Sequence, residues 1–145
     1  MTAVHFQVLG VPKPQGSHRA FMAGGKPVVV PTGGADFATW RNAVAQAAHT
    51  NIPTAGPFTT AIIVELVFRF PMPAARPKKT RAQGIIPKAT SPDLDKLVRT
   101  CLDAFQAAGL IANDSLVAQL QARKYEVAVG GTGVDVWIDT IEETP

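Results

Sequence analysis

The segment from residue 59 to residue 70 constrains the fold of this chain more than any other. It reads Thr-Thr-Ala-Ile-Ile-Val-Glu-Leu-Val-Phe-Arg-Phe, and its two charged residues, Glu65 and Arg69, fall on one face of an extended chain. β-Branched and aromatic residues dominate it, which is typical of a strand. We therefore expect a long strand near the centre of a β-sheet.

Two helices are predicted on either side of this strand. Over residues 92–108 the apolar side chains recur every three or four positions, as Leu94, Leu97, Val98, Cys101, Leu102 and Phe105. Ser91 would cap this helix, Pro92 would take its first position and Gly109 would end it. Residues 36–50 carry Phe37, Trp40 and Val44 at helical spacing and predict the other helix.

Shorter patterns complete the predicted element order. They indicate a strand over residues 4–11, an exposed loop over 10–19, a short helical piece over 116–121, and an antiparallel hairpin of strands 124–129 and 134–141 around the glycine-rich turn 130–133. The 145 residues, 46% of them hydrophobic, suffice for one domain over 1–145. The predicted fold is α+β, a mixed β-sheet with two main helices packed on one face.

Composition excludes several classes of protein. Cys101 is the only cysteine, so an internal disulfide, a cysteine-built zinc site and a dithiol redox motif are all excluded. The chain shows neither a signal-peptide pattern nor the ~20 consecutive apolar residues of a membrane-spanning helix. We expect a cytoplasmic protein without a membrane partner. A formal net charge of +3 favours a polyanionic partner only weakly.

Basic residues concentrate in two loops. The loop over 10–19 carries Lys13, His18 and Arg19; the basic loop over 71–90 carries Arg76, Lys78, Lys79, Arg81 and Lys88, with four prolines and no carboxylate. A run of this kind is usually a solvated surface, and it also suits the steering of a phosphate backbone. For the loop over 10–19 both interpretations stay open, whereas for the basic loop over 71–90 we favour a contact with phosphate because it leads directly into the aspartates.

Three aspartates, Asp93, Asp95 and Asp114, bracket the second predicted helix. Carboxylate oxygens are ligands that Mg²⁺ takes, together with waters and substrate phosphates. Structural roles compete with this interpretation. Acidic residues in the first turn stabilise a helix by interacting with its dipole, and Asp95 is spaced to form an ion pair with Arg99. Asp114 is of a residue type that often initiates a turn. Residues two apart on a helix point to nearly opposite sides, so a shared site requires Asp93 at the helix entry.

Three segments of the chain resemble the RusA family of Holliday junction resolvases, small endodeoxyribonucleases often carried by phages and prophages. The first is Gly-Val-Pro-Lys-Pro-Gln-Gly-Ser-His-Arg over 10–19. The second is Pro-Asp-Leu-Asp-Lys-Leu over 92–97, followed by Leu-Asp-Ala-Phe over 102–105. The third is Asn-Asp-Ser over 113–115, with Lys124 downstream. Their order and spacing extend over nearly the whole chain.

The resemblance implies a function and a set of roles. Asp93, Asp95 and Asp114 would form a catalytic centre for Mg²⁺, with Mn²⁺ as a substitute, and a homodimer would cut the two strands of a four-way or branched DNA during recombination and repair. Arg99 and Lys124 would assist at the phosphate. The residues expected to contact DNA are Lys13, His18, Arg19, Arg76, Lys78, Lys79, Arg81, Lys88 and Lys96.

The chain also departs from the family pattern. Lys96 stands where the family often has Asn, Asn113 replaces the first of two acidic residues, and Arg99 replaces a Lys of some members. Arginine stays protonated, so Arg99 would stabilise charge without exchanging a proton. Two alternatives therefore remain: a branched-DNA-binding protein with weak or no nuclease activity, and an unrelated α+β domain whose acidic residues only stabilise a helix start.

Overall fold

The computed structural model describes the backbone of residues 3–15, 18–31 and 34–142, and the side chains of residues 3–15, 24–27 and 36–142. The elements, in chain order, are β1 Ala3–Leu9, β2 His18–Ala23, β3 Lys26–Pro31, α1 Gly34–Thr50, β4 Ile62–Pro71, α2 Lys78–Arg81, β5 Ile85–Pro87, α3 Leu94–Ala108, a 3-10 turn Asp114–Leu116, β6 Val117–Val127 and β7 Gly133–Thr140.

Strand β4 lies at the centre of a five-stranded sheet with the order β1-β7-β4-β6-β5. It pairs in parallel with β6 on one side and antiparallel with β7 on the other. The outer pairs, β1 with β7 and β5 with β6, are antiparallel. The predicted central strand is confirmed, and the sheet is mixed as expected.

The predicted hairpin is wrong, because β4 separates the two strands that would form it. Strand β6 occupies residues 117–127 and pairs with β4, whereas β7 passes to the far side of β4. Parallel neighbours such as β4 and β6 require a crossover, which is usually helical. Here the crossover contains α3, so this helix starts beside the end of β4.

The core lies between one face of the sheet and the two long helices. Along β4 the side chains alternate between buried and half-buried, and the buried set is Ile62, Val64, Leu66, Phe68 and Phe70. Against this face α1 contributes Trp40, Val44 and Ala48, and α3 contributes Leu97, Val98, Cys101, Ala104 and Phe105. Both helices thus cover the same face, which confirms the predicted α+β architecture.

Helix α3 starts two residues later than predicted. Asp93, not Ser91, is its N-cap, and the Asp93 side chain makes no capping hydrogen bond. Gly109 ends the helix with φ 83°, a left-handed conformation that glycine adopts without strain.

Three predicted loop or helix segments contain other structure. Residues 117–121 belong to β6 and not to a helical piece, so only residues 114–116 are helical there. The basic loop over 71–90 contains the short helix α2 and the edge strand β5. The predicted loop over 10–19 ends in β2, which pairs with β3 as a separate ribbon. No helix in the described part of the chain is long and apolar enough to span a membrane.

Candidate active site

A groove of about 680 Å³ runs between α3 and β6 and collects most of the acidic residues of this region. It is lined by the apolar side chains of Leu94, Val98, Leu102, Leu120 and Ala122 and by the polar side chains of Asp95, Arg99, Asp103 and Asp114. We call this the α3–β6 groove. Asp95, Arg99 and Asp103 stand on one helical face because they are four residues apart. Two of the three predicted catalytic aspartates therefore face one groove.

Asp114 reaches the groove from the far end of α3. Its backbone N–H donates to the side-chain oxygen of Gln106, in the last turn of the helix, at 2.9 Å. Asn113 caps the 3-10 turn by accepting from the Ser115 N–H at 2.8 Å. Since Asn113 performs the capping, the Asp114 carboxylate is not needed for it and stays exposed at the groove.

Asp93 faces a different pocket, on the other side of the start of α3. This pocket, of about 570 Å³, is lined by Val11, Pro12, Lys13, Pro14, Phe70, Pro71, Lys88, Ser91, Pro92, Asp93 and Lys96, and we call it the lysine pocket. The Asp93 side chain is 64% exposed and lies 3.6 Å from the Lys96 ammonium group. Asp93 is the N-cap and has an extended backbone, so it lies at the helix entry as a shared site requires. Even so, Asp93 and Asp95 line two different pockets.

The donor atoms suit a hard cation, but the three aspartates do not meet at one point. In the described part of the chain no group of three His, Cys, Asp or Glu side chains lies close enough to hold a metal ion. Asp95 and Asp114 are exposed, and neither carboxylate has an ion-pair partner among the described residues. Mg²⁺ often takes only one or two carboxylates besides water and phosphate. The residues fit such an ion and do not form a three-carboxylate cage.

Arg99 is exposed on the rim of the groove between Asp95 and Asp103. It forms no ion pair within 4.0 Å with either aspartate in the described structure, so the simple Asp95–Arg99 surface pair is absent. Its guanidinium group is therefore available to a ligand in the groove.

Lys124 lies beneath the segment that leads into α3. Its ammonium group donates to the carbonyl oxygen of Thr90 at 2.6 Å and to that of Pro92 at 2.7 Å. Both acceptors are backbone atoms just before Asp93. These contacts hold the backbone where it enters the helix. The sequence did not indicate this role for Lys124.

A buried carboxylate, Glu126 on β6, anchors part of the basic loop. Glu126 is 1% exposed and accepts two hydrogen bonds from Arg76, at 2.9 and 2.8 Å. The Lys88 ammonium group lies 3.5 Å from the same carboxylate and 5.2 Å from the centre of the Phe70 ring. The hydrogen bonds from Arg76 are the main cause that holds the pKa of Glu126 below its ordinary value, and they raise the pKa of Arg76.

The other predicted DNA contacts differ in their surroundings. Lys78 and Lys79 are exposed on α2, and Arg81 donates to the carbonyl oxygen of Pro73 at 2.9 Å. The backbone of His18 and Arg19 lies in β2, but their side chains fall outside the described side chains. DNA contact by all of these residues stays a prediction.

Sequence reasoning missed three residues of this region. Asp103 joins the α3–β6 groove, and its four-residue spacing from Arg99 was a usable signal. Gln106, which holds the Asp114 backbone, and Glu126, which holds Arg76, had no signal in the sequence. Their roles depend on contacts between residues 8 and 50 positions apart.

Comparison with known proteins identifies a family for this chain. A search of curated proteins finds no match to this chain. Residues 10–138 match the family described as Endodeoxyribonuclease RusA. That range includes the α3–β6 groove and the lysine pocket. Because the match extends over 10–138 of 145 residues, the chain belongs to the RusA family of endodeoxyribonucleases.

Proposed function

We propose that this protein is a Mg²⁺-dependent, structure-selective endodeoxyribonuclease that resolves Holliday junctions or other branched DNA in recombination and repair. Membership of the RusA family supports a nuclease that acts on such junctions. The observation that carries the proposal to particular residues is the α3–β6 groove, where Asp95 and Asp114 present free carboxylates beside Arg99.

The proposed roles follow from the charges of the groove. Asp95 and Asp114 would hold Mg²⁺ with phosphate oxygens. Asp93 lines the lysine pocket, so its carboxylate would have to turn towards the groove to act as the third ligand that the family resemblance implies. When bound, the ion would lower the pKa of a water molecule and stabilise charge on the leaving oxygen. Arg99 would stabilise negative charge on the phosphate through electrostatics alone, since its guanidinium group keeps its protons.

The remaining basic residues would provide affinity for the DNA backbone. Exposed lysines such as Lys78 and Lys79 contact phosphates in this proposal, and they would carry no sequence information. Binding should therefore weaken steeply as the salt concentration rises, and removing these lysines should flatten that dependence.

We also propose that the active form is a homodimer. Resolution of a four-way junction requires one cut in each of two strands, and each copy of the chain has one α3–β6 groove. Sedimentation of the protein with and without a junction tests this point: a monomer in the junction complex would overturn it.

The main test is cleavage of a labelled four-way junction with and without Mg²⁺, for the wild type, Asp95→Asn and Asp114→Asn. We expect paired nicks that require the metal and that fall by about a hundredfold or more in both variants, since each removes a charge that acts in the transition state. Melting of the three proteins verifies that they are folded.

A second function, binding of branched DNA without efficient cleavage, is favoured by one observation: no three metal-ligating side chains converge in the described chain. Tight junction binding with no nicks at any Mg²⁺ or Mn²⁺ concentration would establish it. A further check is the melting temperature, since a metal ion that binds only the folded protein must raise it.

A further inference from the structure

The lysine pocket concentrates positive charge next to the α3–β6 groove. Lys13 comes from the loop after β1, Lys88 from the segment after β5, and Lys96 from the first turn of α3. The carboxylate on its rim is that of Asp93, and the one behind it is that of Glu126, which Arg76 neutralises. The pocket lining thus carries the three positive charges of Lys13, Lys88 and Lys96 and the one negative charge of Asp93, an excess of two positive charges, to which the Arg76–Glu126 pair behind it adds none.

Backbone hydrogen bonds tie down the segments that carry the three lysines. The Gln15 N–H donates to the Lys96 carbonyl at 3.1 Å, which joins the loop carrying Lys13 to α3. The Lys88 N–H donates to the Lys124 carbonyl at 3.0 Å, and the Lys88 side chain, 10% exposed, also donates to Thr90 Oγ1 at 3.1 Å. Because the backbone of these segments is already held, an anion that binds in the pocket would need to order few further backbone groups, which keeps the entropic cost of binding low.

The walls of the pocket are apolar. Phe70 and four prolines, Pro12, Pro14, Pro71 and Pro92, line it together with Val11. A phosphate group alone would use only the ammonium groups. Phe70 is only 5% exposed, so the apolar surface open to a ligand is that of the exposed Val11 and Pro71 and the half-buried Pro14 and Pro92. Such a surface next to cations matches a whole nucleotide, whose base or sugar packs on the prolines while its phosphate meets the lysines.

We propose that the lysine pocket receives one unpaired nucleotide of the DNA strand next to the cleavage site, with its phosphate at Lys13 and Lys96. A nucleotide inside a closed duplex would have to break its pairing and stacking to enter, whereas a nucleotide that is already unpaired at a branch point avoids most of that cost. The pocket therefore supplies preference for branched over linear DNA. This inference rests on the proposed function and locates its substrate selectivity.

The test measures affinities with EDTA present, so that no strand is cut. Affinity for a four-way junction and for a linear duplex of the same composition is measured for four proteins: the wild type, Lys13→Met, Lys96→Met and the control Lys26→Met. Lys26 is exposed on β3, outside the pocket, and its loss removes the same charge. We expect each pocket variant to lose about tenfold in junction affinity, as for a charge-assisted contact, with a smaller loss on the duplex. The control should keep the wild-type ratio of the two affinities.

The inference would be overturned if the pocket variants kept the wild-type ratio of junction affinity to duplex affinity, whether both affinities fell equally or neither changed. A second probe separates this outcome from failure of the proposed function: a 5′-phosphorylated thymidine pentanucleotide, titrated against the same four proteins. If the wild type ignores junctions, the proposed function fails, and pentanucleotide binding that depends on Lys13 and Lys96 would still support the pocket. If the wild type nicks junctions and the pocket variants bind both probes normally, only the pocket inference fails.

Discussion

The Lys124 ammonium group donates a hydrogen bond of 2.7 Å to the carbonyl oxygen of Pro92, the residue immediately before Asp93. With its second bond to Thr90, this lysine determines where the chain enters α3. Its position differs from that of a group held out towards a phosphate, because two of its protons already have backbone acceptors.

Replacing Lys124 with Met should therefore reduce cleavage more than binding. The variant loses two charge-assisted hydrogen bonds, so the position of Asp93 becomes less defined. We expect the cleavage rate at saturating junction to fall about tenfold or more, a higher Mg²⁺ concentration at half-maximal rate, and junction affinity within about threefold of the wild type. Single-turnover cleavage and binding in EDTA measure these quantities.

Lys26→Met is the control for the loss of one positive charge, because Lys26 lies on β3 and lines neither the α3–β6 groove nor the lysine pocket. If Lys124→Met instead loses mainly DNA affinity and keeps its cleavage rate at saturation, the lysine contacts the DNA backbone and does not position Asp93.

Glu126 should make stability depend on pH in the acid range. Its pKa is held below the ordinary value of 4.5, chiefly by hydrogen bonds from Arg76. A carboxylate with a lowered folded-state pKa contributes stability above its unfolded pKa and loses it as the pH falls through the folded value. We expect Glu126→Gln to lower the free energy of unfolding by about 2 kcal/mol at pH 7, with the deficit shrinking below pH 4.5.

Urea unfolding of both proteins from pH 7 to pH 3 measures this difference. Glu142→Gln, at an exposed carboxylate, is the control and should match the wild type throughout. A deficit for Glu126→Gln that stays constant into acid would show that shape, and not charge, explains its effect.

Local patterns predicted the elements whose burial follows a simple period. The alternation of β4 and the apolar stripe of α3 are visible in the sequence because each faces the core along its whole length. Most of β6 before Ala122 is exposed, so no alternation marked it as a strand. Strand β4 lies between β6 and β7 because of how the strands pair in the sheet. Neither turn residues nor local periodicity predict which strands pair.

The sequence predicted which acidic residues belong to the candidate site, but not how they are arranged in space. Asp95 and Asp114 were identified from residue type and spacing, and they do share a groove. That Asp114 is held at Gln106, in the last turn of α3, follows from tertiary contacts only. The burial of Glu126 likewise depends on Arg76, which lies fifty positions earlier in the chain.

Gly133 should tolerate no side chain. It opens β7 opposite Leu9 with φ 148°, and a Cβ atom there would overlap the carbonyl oxygen of Val8. Backbone has to move to relieve such an overlap, so Gly133→Ala should cost about 3 kcal/mol of unfolding free energy. The neighbouring Gly131→Ala is the control, because its Cβ would lie 3.6 Å from Leu9 Cδ2, an ordinary contact. Equal urea midpoints for the two variants would contradict the close pairing of β1 with β7.

Cys101 should report on the opening of α3. It is 0% exposed, and burial raises the pKa of its thiol, so the reactive thiolate is both inaccessible and scarce in the folded protein. We expect no reaction with a disulfide reagent in native buffer and complete reaction in denaturant. The control combines Cys101→Ala with Ser115→Cys, at an exposed position, and should react at once. If the native wild type also reacts within minutes, α3 leaves the core by local unfolding, and the start of the helix that carries Asp93 and Asp95 is not the fixed platform inferred from Lys124.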